Sequence, residues 1–191
     1  TDKAQTKPPA FLGWDIGANG AIVVLDGGEL EERFAARRVL YKVVGPEMSK
    51  PDGRSKVPDV RKQLAVLQTI QRMYDIREAA IEHQQPQPGE GVVSVKTAAA
   101  FYWRAWGQLI ALGIPSVIVR PQTWQGAMGW RRATVQRETR DIAKRWPRLK
   151  KKARWVAVAR RFTEGAGLEC GPRGGAPPDG IADAACIALW A

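Results

Sequence analysis

Apolar residues first gather at residues 11–25, Phe-Leu-Gly-Trp-Asp-Ile-Gly-Ala-Asn-Gly-Ala-Ile-Val-Val-Leu. The first half predicts a buried strand carrying one acid, Asp15. Gly17 and Gly20 predict a turn, and residues 21–25 predict a second, β-branched strand. Asp26-Gly27-Gly28 is a further turn signal, after which residues 29–44 predict a long third strand completing an antiparallel meander. Residues 45–58, rich in proline, glycine and lysine, predict a flexible loop, and residues 1–10, polar with two prolines, a flexible end.

Asp59 is placed to cap a helix whose Leu64, Leu67, Ile70 and Met73 recur at helical spacing. Ala79-Ala80-Ile81 predicts a short buried strand ending in Glu82. Prolines and glycines keep residues 83–91 non-helical. An aromatic-rich helix is expected over 92–112, stopped by Gly113, then a strand over 114–119 and a short helical connection over 121–130. Residues 133–159 are helical in pattern and basic, and 165–178, with five glycines and three prolines, predict a linker or mobile loop. Residues 179–190 form an apolar helix with Asp179 and Asp183 near its start. Three strands, helix, strand, helix, strand and helices together predict an α/β domain with a mixed sheet and helices on both faces.

Four acids break this apolar pattern. Asp15 lies in the first strand, Glu82 ends the fourth, and Asp179 and Asp183 stand one turn apart on one face of the last helix. Each has an ordinary alternative: a turn for Asp15, a surface strand end for Glu82, a helix cap for Asp179. Asp183 has no evident structural reason to interrupt its helix. Gathered carboxylates repel one another, and a pair of Mg²⁺ ions relieves that, because hard cations take oxygen ligands. His83 is the only histidine, and Cys170 and Cys186 make neither a disulfide framework nor a zinc spacing, so a reducing compartment is expected.

Composition then narrows the partner. The 191 residues, 45% hydrophobic and 26% charged, suffice for one globular domain. A net charge of +11 points to a polyanion, nucleic acid first, with a merely soluble basic surface as the alternative. No apolar run reaches the roughly 20 residues of a membrane span. Eight tryptophans offer indole faces for base stacking. Trp103 and Trp106 are expected in the core, with stacking or a dimer contact as alternatives.

Gly13-Trp-Asp-Ile-Gly-Ala-Asn-Gly-Ala, Ala80-Ile-Glu-His-Gln-Gln-Pro-Gln-Pro-Gly, Pro121-Gln-Thr-Trp-Gln-Gly-Ala-Met-Gly and Asp179-Gly-Ile-Ala-Asp-Ala-Ala together resemble the RuvC-type Holliday junction resolvases of the RNase H-like superfamily. The likeness spans most of residues 11–190. The middle motifs and the ending look most like the branch that contains the chloroplast junction resolvase of plants and algae and its bacterial and phage relatives. The first motif alone is shared with actin-like sugar kinases.

The resemblance implies an RNase H-like five-stranded mixed sheet, three strands antiparallel and two parallel, in a single nuclease domain over 11–191. It implies a homodimer that nicks a four-way DNA junction symmetrically, with two Mg²⁺ per site (Mn²⁺ substituting) and no organic cofactor or membrane. Asp15, Glu82, Asp179 and Asp183 match the family's metal-binding, catalytic carboxylates. Residues 83–91 match the segment near the junction centre, where His83, Gln84, Gln85 and Gln87 meet bases; a polar surface loop is the alternative. Phosphate contacts are expected from Lys96, Arg104, Arg131, Arg132, Arg137, Lys150, Lys151 and Lys152, solvated charge being the alternative. The branch, and a chain that begins at Thr1, imply chloroplast stroma, with bacterial or phage-infected cytoplasm as the alternative. Two departures stand out: Arg137 replaces a frequent lysine, and residues 153–178 form an inserted helix or loop where relatives pass almost directly to the last helix. The competing functions are a non-catalytic DNA-binding module of this fold and an actin-like phosphotransferase, which requires two such domains.

Overall fold

The structure, a computed structural model, describes residues 6–16, 20–28, 37–52, 55–83, 89–129, 133–164, 168 and 179–191, with only the backbone of 46, 51, 52, 55, 56, 58, 164 and 179. Strands β1 (Pro9–Asp15), β2 (Ala21–Asp26) and β3 (Arg37–Val44) form the expected antiparallel meander. β6 (Asp75–Glu82) lies parallel to β1, and β7 (Ser116–Val119) lies parallel to β6. The order β7-β6-β1-β2-β3 is the five-stranded mixed sheet anticipated from sequence, and the two-residue β8 (Thr163–Glu164) adds to its β3 edge.

Side chains of successive strand residues point to opposite faces, so each strand feeds two cores. Leu12, Trp14, Ile22, Val24, Ala79 and Ile81 pack under α1 (Val60–Met73) and α2 (Val92–Ala111). Ala21, Val23, Leu25 and Ala80 face the other way, toward α3 (Pro121–Ala127), α4 (Ala133–Arg145), α5 (Ala153–Phe162) and α6 (Asp179–Trp190). Helices thus cover both faces. Asp59 caps α1 by accepting from the Arg61 and Lys62 backbone N–H groups at 3.1 and 3.3 Å. Leu67 and Ile70 are buried as the spacing requires, whereas Met73 is exposed. α2 ends at Ala111, and Gly113 just beyond its cap has a φ of +64°, which suits glycine after a helix.

Several boundaries differ from the sequence expectation. β1 begins at Pro9, and the Asp75 backbone N–H donates to the Pro8 carbonyl at 2.9 Å, so the first strand starts within the stretch expected to be loose. Within residues 45–58, expected to be a loop, lie a 3₁₀ turn (Gly45–Met48) and a two-stranded hairpin of β4 (Ser49–Asp52) and β5 (Ser55–Pro58). The basic helical stretch is two helices broken at Pro147, whose ring cannot continue the hydrogen-bond ladder. α5, in the segment read as an insertion, is a core element: Val156, Ala157, Val158 and Ala159 are all fully buried. The turn at 17–19 and most of the 165–178 segment lie outside the described residues.

α6 lies against β1 and β2, and its Ala182, Ala184, Ala185 and Ala188 let it approach the sheet closely. Gly13 completes that fit. A Cβ on Gly13 would stand 2.0 Å from the Ala184 carbonyl oxygen and 2.4 Å from the Ala188 nitrogen. The glycine beside Asp15 is therefore required by helix–strand contact.

Candidate functional site

Asp15 and Glu82 are the last residues of β1 and β6, two adjacent parallel strands. Their ladder runs to Trp14 opposite Ile81, so the two acids are next in line at the same end. Neighbouring strands lie about 4.8 Å apart, and the carboxyl ends of parallel strands are where open α/β sheets bind ligands. Asp15 has the parity of Gly13 and Glu82 that of Ala80, which directs both toward the α6 side of the sheet. α6 brings Asp183 to the same place, and its charge acts on Glu82. Asp179 occupies the first position of α6, one turn earlier; its side chain lies outside the described residues.

Each described acid of the helix side has a fitted environment. The Trp124 indole N–H donates to Glu82 Oε2 at 2.8 Å. Trp124 is buried and edge-on to Trp155 of α5, with ring centroids 5.0 Å apart. The Lys152 ammonium, at the N-terminus of α5, stands 2.7 Å from Asp183 Oδ2. Sequence reading missed both partners. Trp124 lies within the Pro-Gln-Thr-Trp motif, which is the signal that singles it out, but nothing local ties Lys152 to Asp183, 31 residues away.

Burial is the largest influence on the Glu82 carboxyl and pushes it above the usual carboxylate range. The Trp124 hydrogen bond opposes the rise, the Asp183 charge adds to it, and the Lys152 charge counters it. A carboxyl with a raised folded-state pKa favours folding while protonated. Its contribution is complete below the unfolded pKa and is lost as pH rises through the higher folded value. Urea unfolding of the metal-free protein across that window is expected to show stability falling with pH, and Glu82→Gln, which retains a carbonyl acceptor for Trp124, flattens the fall. An unchanged slope in the variant contradicts the assigned environment. Cys186, fully buried, has its thiol pushed well up by burial and then by Asp183, so it stays protonated and serves as core.

The remaining predicted contacts are scattered. His83 follows Glu82, donates its backbone N–H to the Val119 carbonyl at 2.8 Å, and sets its ring edge-on to Tyr102 at 5.3 Å. Gln84, Gln85, Gln87, Arg131 and Arg132 lie outside the described residues. Lys96, Arg104, Arg137, Lys150 and Lys151 are exposed, as phosphate contacts must be. Lys152 differs, being turned to Asp183. Trp103, expected in the core, is 60% exposed, because its neighbours Tyr102 and Ala105 take the inward positions of α2; Trp106 is half-buried beside it.

Among the described residues no group of three or more acids, histidines or cysteines is already arranged to hold a metal ion. The donor chemistry nonetheless fits a hard divalent cation. Asp15, Glu82 and Asp183 offer carboxylate oxygens at one end of the sheet, and the Glu82–Asp183 repulsion is relieved by positive charge. Among the described residues no helix is long and apolar enough to cross a membrane.

No family model matches the sequence, and no curated protein sequence does either. Solved structures do match. RuvC of Thermus thermophilus superposes with a TM-score of 0.56 at 21% identity, covering 94% of this chain and 91% of that one. The T. thermophilus RuvC in complex with a Holliday junction substrate gives 0.61 at 19% identity, covering 94% and 90%. The yeast mitochondrial Holliday junction resolvase Ydc2 gives 0.53 at 14% identity, covering 97% and 79%. At these identities the likeness establishes the fold, which is the RNase H-like fold of RuvC.

Proposed function

We propose that the chain is a divalent-metal-dependent endonuclease that resolves four-way DNA junctions by paired, symmetric nicks. The carrying observation is that Asp15 and Glu82 end adjacent parallel strands while α6 brings Asp183 to them. The fold shared with RuvC and Ydc2, and a net charge of +11, support a nucleic-acid substrate. The likeness to T. thermophilus RuvC in complex with a Holliday junction substrate supports the four-way junction in particular.

Asp15, Glu82 and Asp183, with Asp179 on the preceding helical turn, are the residues that would hold Mg²⁺. Two such ions held there would supply water activation and charge stabilisation on the oxygens of a phosphodiester undergoing displacement. The chain's own residues do the positioning. Trp124 fixes one oxygen of Glu82, the strand ends fix the spacing of Asp15 and Glu82, and Lys152 balances Asp183. Exposed Lys96, Arg104, Arg137, Lys150 and Lys151 supply phosphate contacts, which carry affinity without sequence information. Homodimerisation belongs to the same proposal, with Val92, Val93, Trp103 and Ile110 exposed on α2 as the apolar surface available for it. Placement in the chloroplast stroma is proposed on the motif resemblance alone.

Purified protein offered a synthetic junction, a fork and a linear duplex, each with and without Mg²⁺, tests the assignment. The expected result is paired nicking confined to the junction and dependent on the metal. Tight junction binding with no cleavage in Mg²⁺ or Mn²⁺ identifies a non-catalytic module instead, and saturable ATP binding revives the phosphotransferase alternative.

A further inference from the structure

Lys152 is the one member of the Lys150–Lys151–Lys152 run that turns inward. Its backbone carbonyl accepts from the Trp155 and Val156 N–H groups at 2.9 and 3.2 Å, so the root of the side chain is fixed to the first turn of α5. Its ammonium lies 2.7 Å from Asp183 Oδ2, and its charge also acts on Glu82, which belongs to a different element. The Asp183 side chain is 12% exposed, whereas that of Lys152 is 42% exposed. The carboxylate is thus held in place while the lysine has a route to solvent along its own flexible stem.

We propose that Lys152 is a tethered counter-ion for the carboxylate cluster, one that a divalent cation must displace from Asp183 to enter. Rigid attachment at α5 keeps the ammonium at a high local concentration, so it competes with dissolved metal at every encounter. Its presence lets Asp183 and Glu82 coexist in a buried place before metal arrives, and sets a threshold for metal entry afterwards. This rests on the metal-dependent reading above, and a Mn²⁺-binding measurement without DNA separates the two.

Mn²⁺ titration followed by electron paramagnetic resonance and calorimetry, on wild type and Lys152→Met, is the test. The neutral variant is expected to bind Mn²⁺ about tenfold more tightly, the usual size of coupling between neighbouring sites. Without metal it is expected to melt below wild type, and Mn²⁺ is expected to raise its melting temperature by more than it raises wild type's. Lys152→Arg, which retains the charge, is expected to keep the wild-type affinity. Unchanged or weaker Mn²⁺ binding by a folded Lys152→Met overturns the proposal, as does equal tightening in Lys152→Arg. Should Lys152→Met be unfolded without metal, recovery of its circular dichroism on adding Mn²⁺ supports the proposal, and failure to recover overturns it. Absence of Mn²⁺ binding in wild type and variant alike overturns the nuclease assignment with it. Wild-type binding that is lost in Asp183→Asn, with Lys152→Met unchanged, keeps that assignment and removes only the counter-ion role.

Discussion

Asp15→Asn and Asp183→Asn are each expected to abolish nicking of a synthetic four-way junction while junction binding persists. The substitution keeps the side chain's size and removes one negative charge from the site that, on the proposed function, would concentrate such charge on metal. Loss of one preorganised electrostatic group in an active site commonly costs about 10²–10³ in rate, and a carboxylate that holds the metal lies at the upper end or beyond. Binding is expected to survive because the proposed phosphate contacts, the exposed Lys96, Arg104 and Arg137 among them, lie on other side chains. Gel-based nicking of labelled strands, paired with a mobility-shift titration of the same samples, reads both quantities. Nicking at the wild-type rate by either variant would falsify the assignment.

Gly13→Ala is expected to be the most damaging single-methyl change in the domain. The added carbon falls 2.0 Å from the Ala184 carbonyl oxygen and 2.4 Å from the Ala188 nitrogen, both backbone atoms of α6. No side chain can rotate aside, so β1 or the helix must shift. Overpacking of a well-filled core costs about 1–3 kcal/mol and sometimes more, and a clash with backbone belongs at the top of that range. For a chain of this size, ~3 kcal/mol corresponds to a melting temperature lower by roughly 6–12 °C. Because α6 carries Asp183, any remaining folded protein should also lose nicking activity beyond what its folded fraction accounts for. A melting temperature within a degree or so of wild type refutes the close helix–strand contact.

The parts of the fold that could be read from sequence are those whose signal is local. The terminal helix runs over Asp179–Trp190 as its largely apolar pattern requires, and α2 stops just before Gly113, where a positive φ is needed. β1 and β2 follow from their apolar runs. The elements that escaped are weak in local signal. β4 and β5 carry lysine, proline and aspartate and, among the described residues, pair only with each other. β6 starts at Asp75 rather than Ala79, because Asp75, Arg77 and Glu78 place charges in a strand whose inward positions are nonetheless buried. α5 falls in the segment read as an insertion because the resembled family passes almost directly to the last helix; packing between α4 and α6 makes its small apolar residues core.

The candidate site divides along the same line. The sequence alone determined which residues bring carboxylates, because an acid inside an apolar strand or helix is costly and stands out at Asp15, Glu82 and Asp183. It also placed Glu82 at the end of its strand and Asp183 near the start of its helix, whereas the position of Asp15 as the last residue of β1 came from the structure. Only the tertiary structure decided what surrounds them. Trp124 reaches Glu82 across 42 residues and Lys152 reaches Asp183 across 31. Nothing in the spacing of those residues predicts the meeting. It is set by how α3 and α5 pack against the sheet and α6, and hydrogen bonds and ion pairs form wherever that packing leaves donor and acceptor within reach.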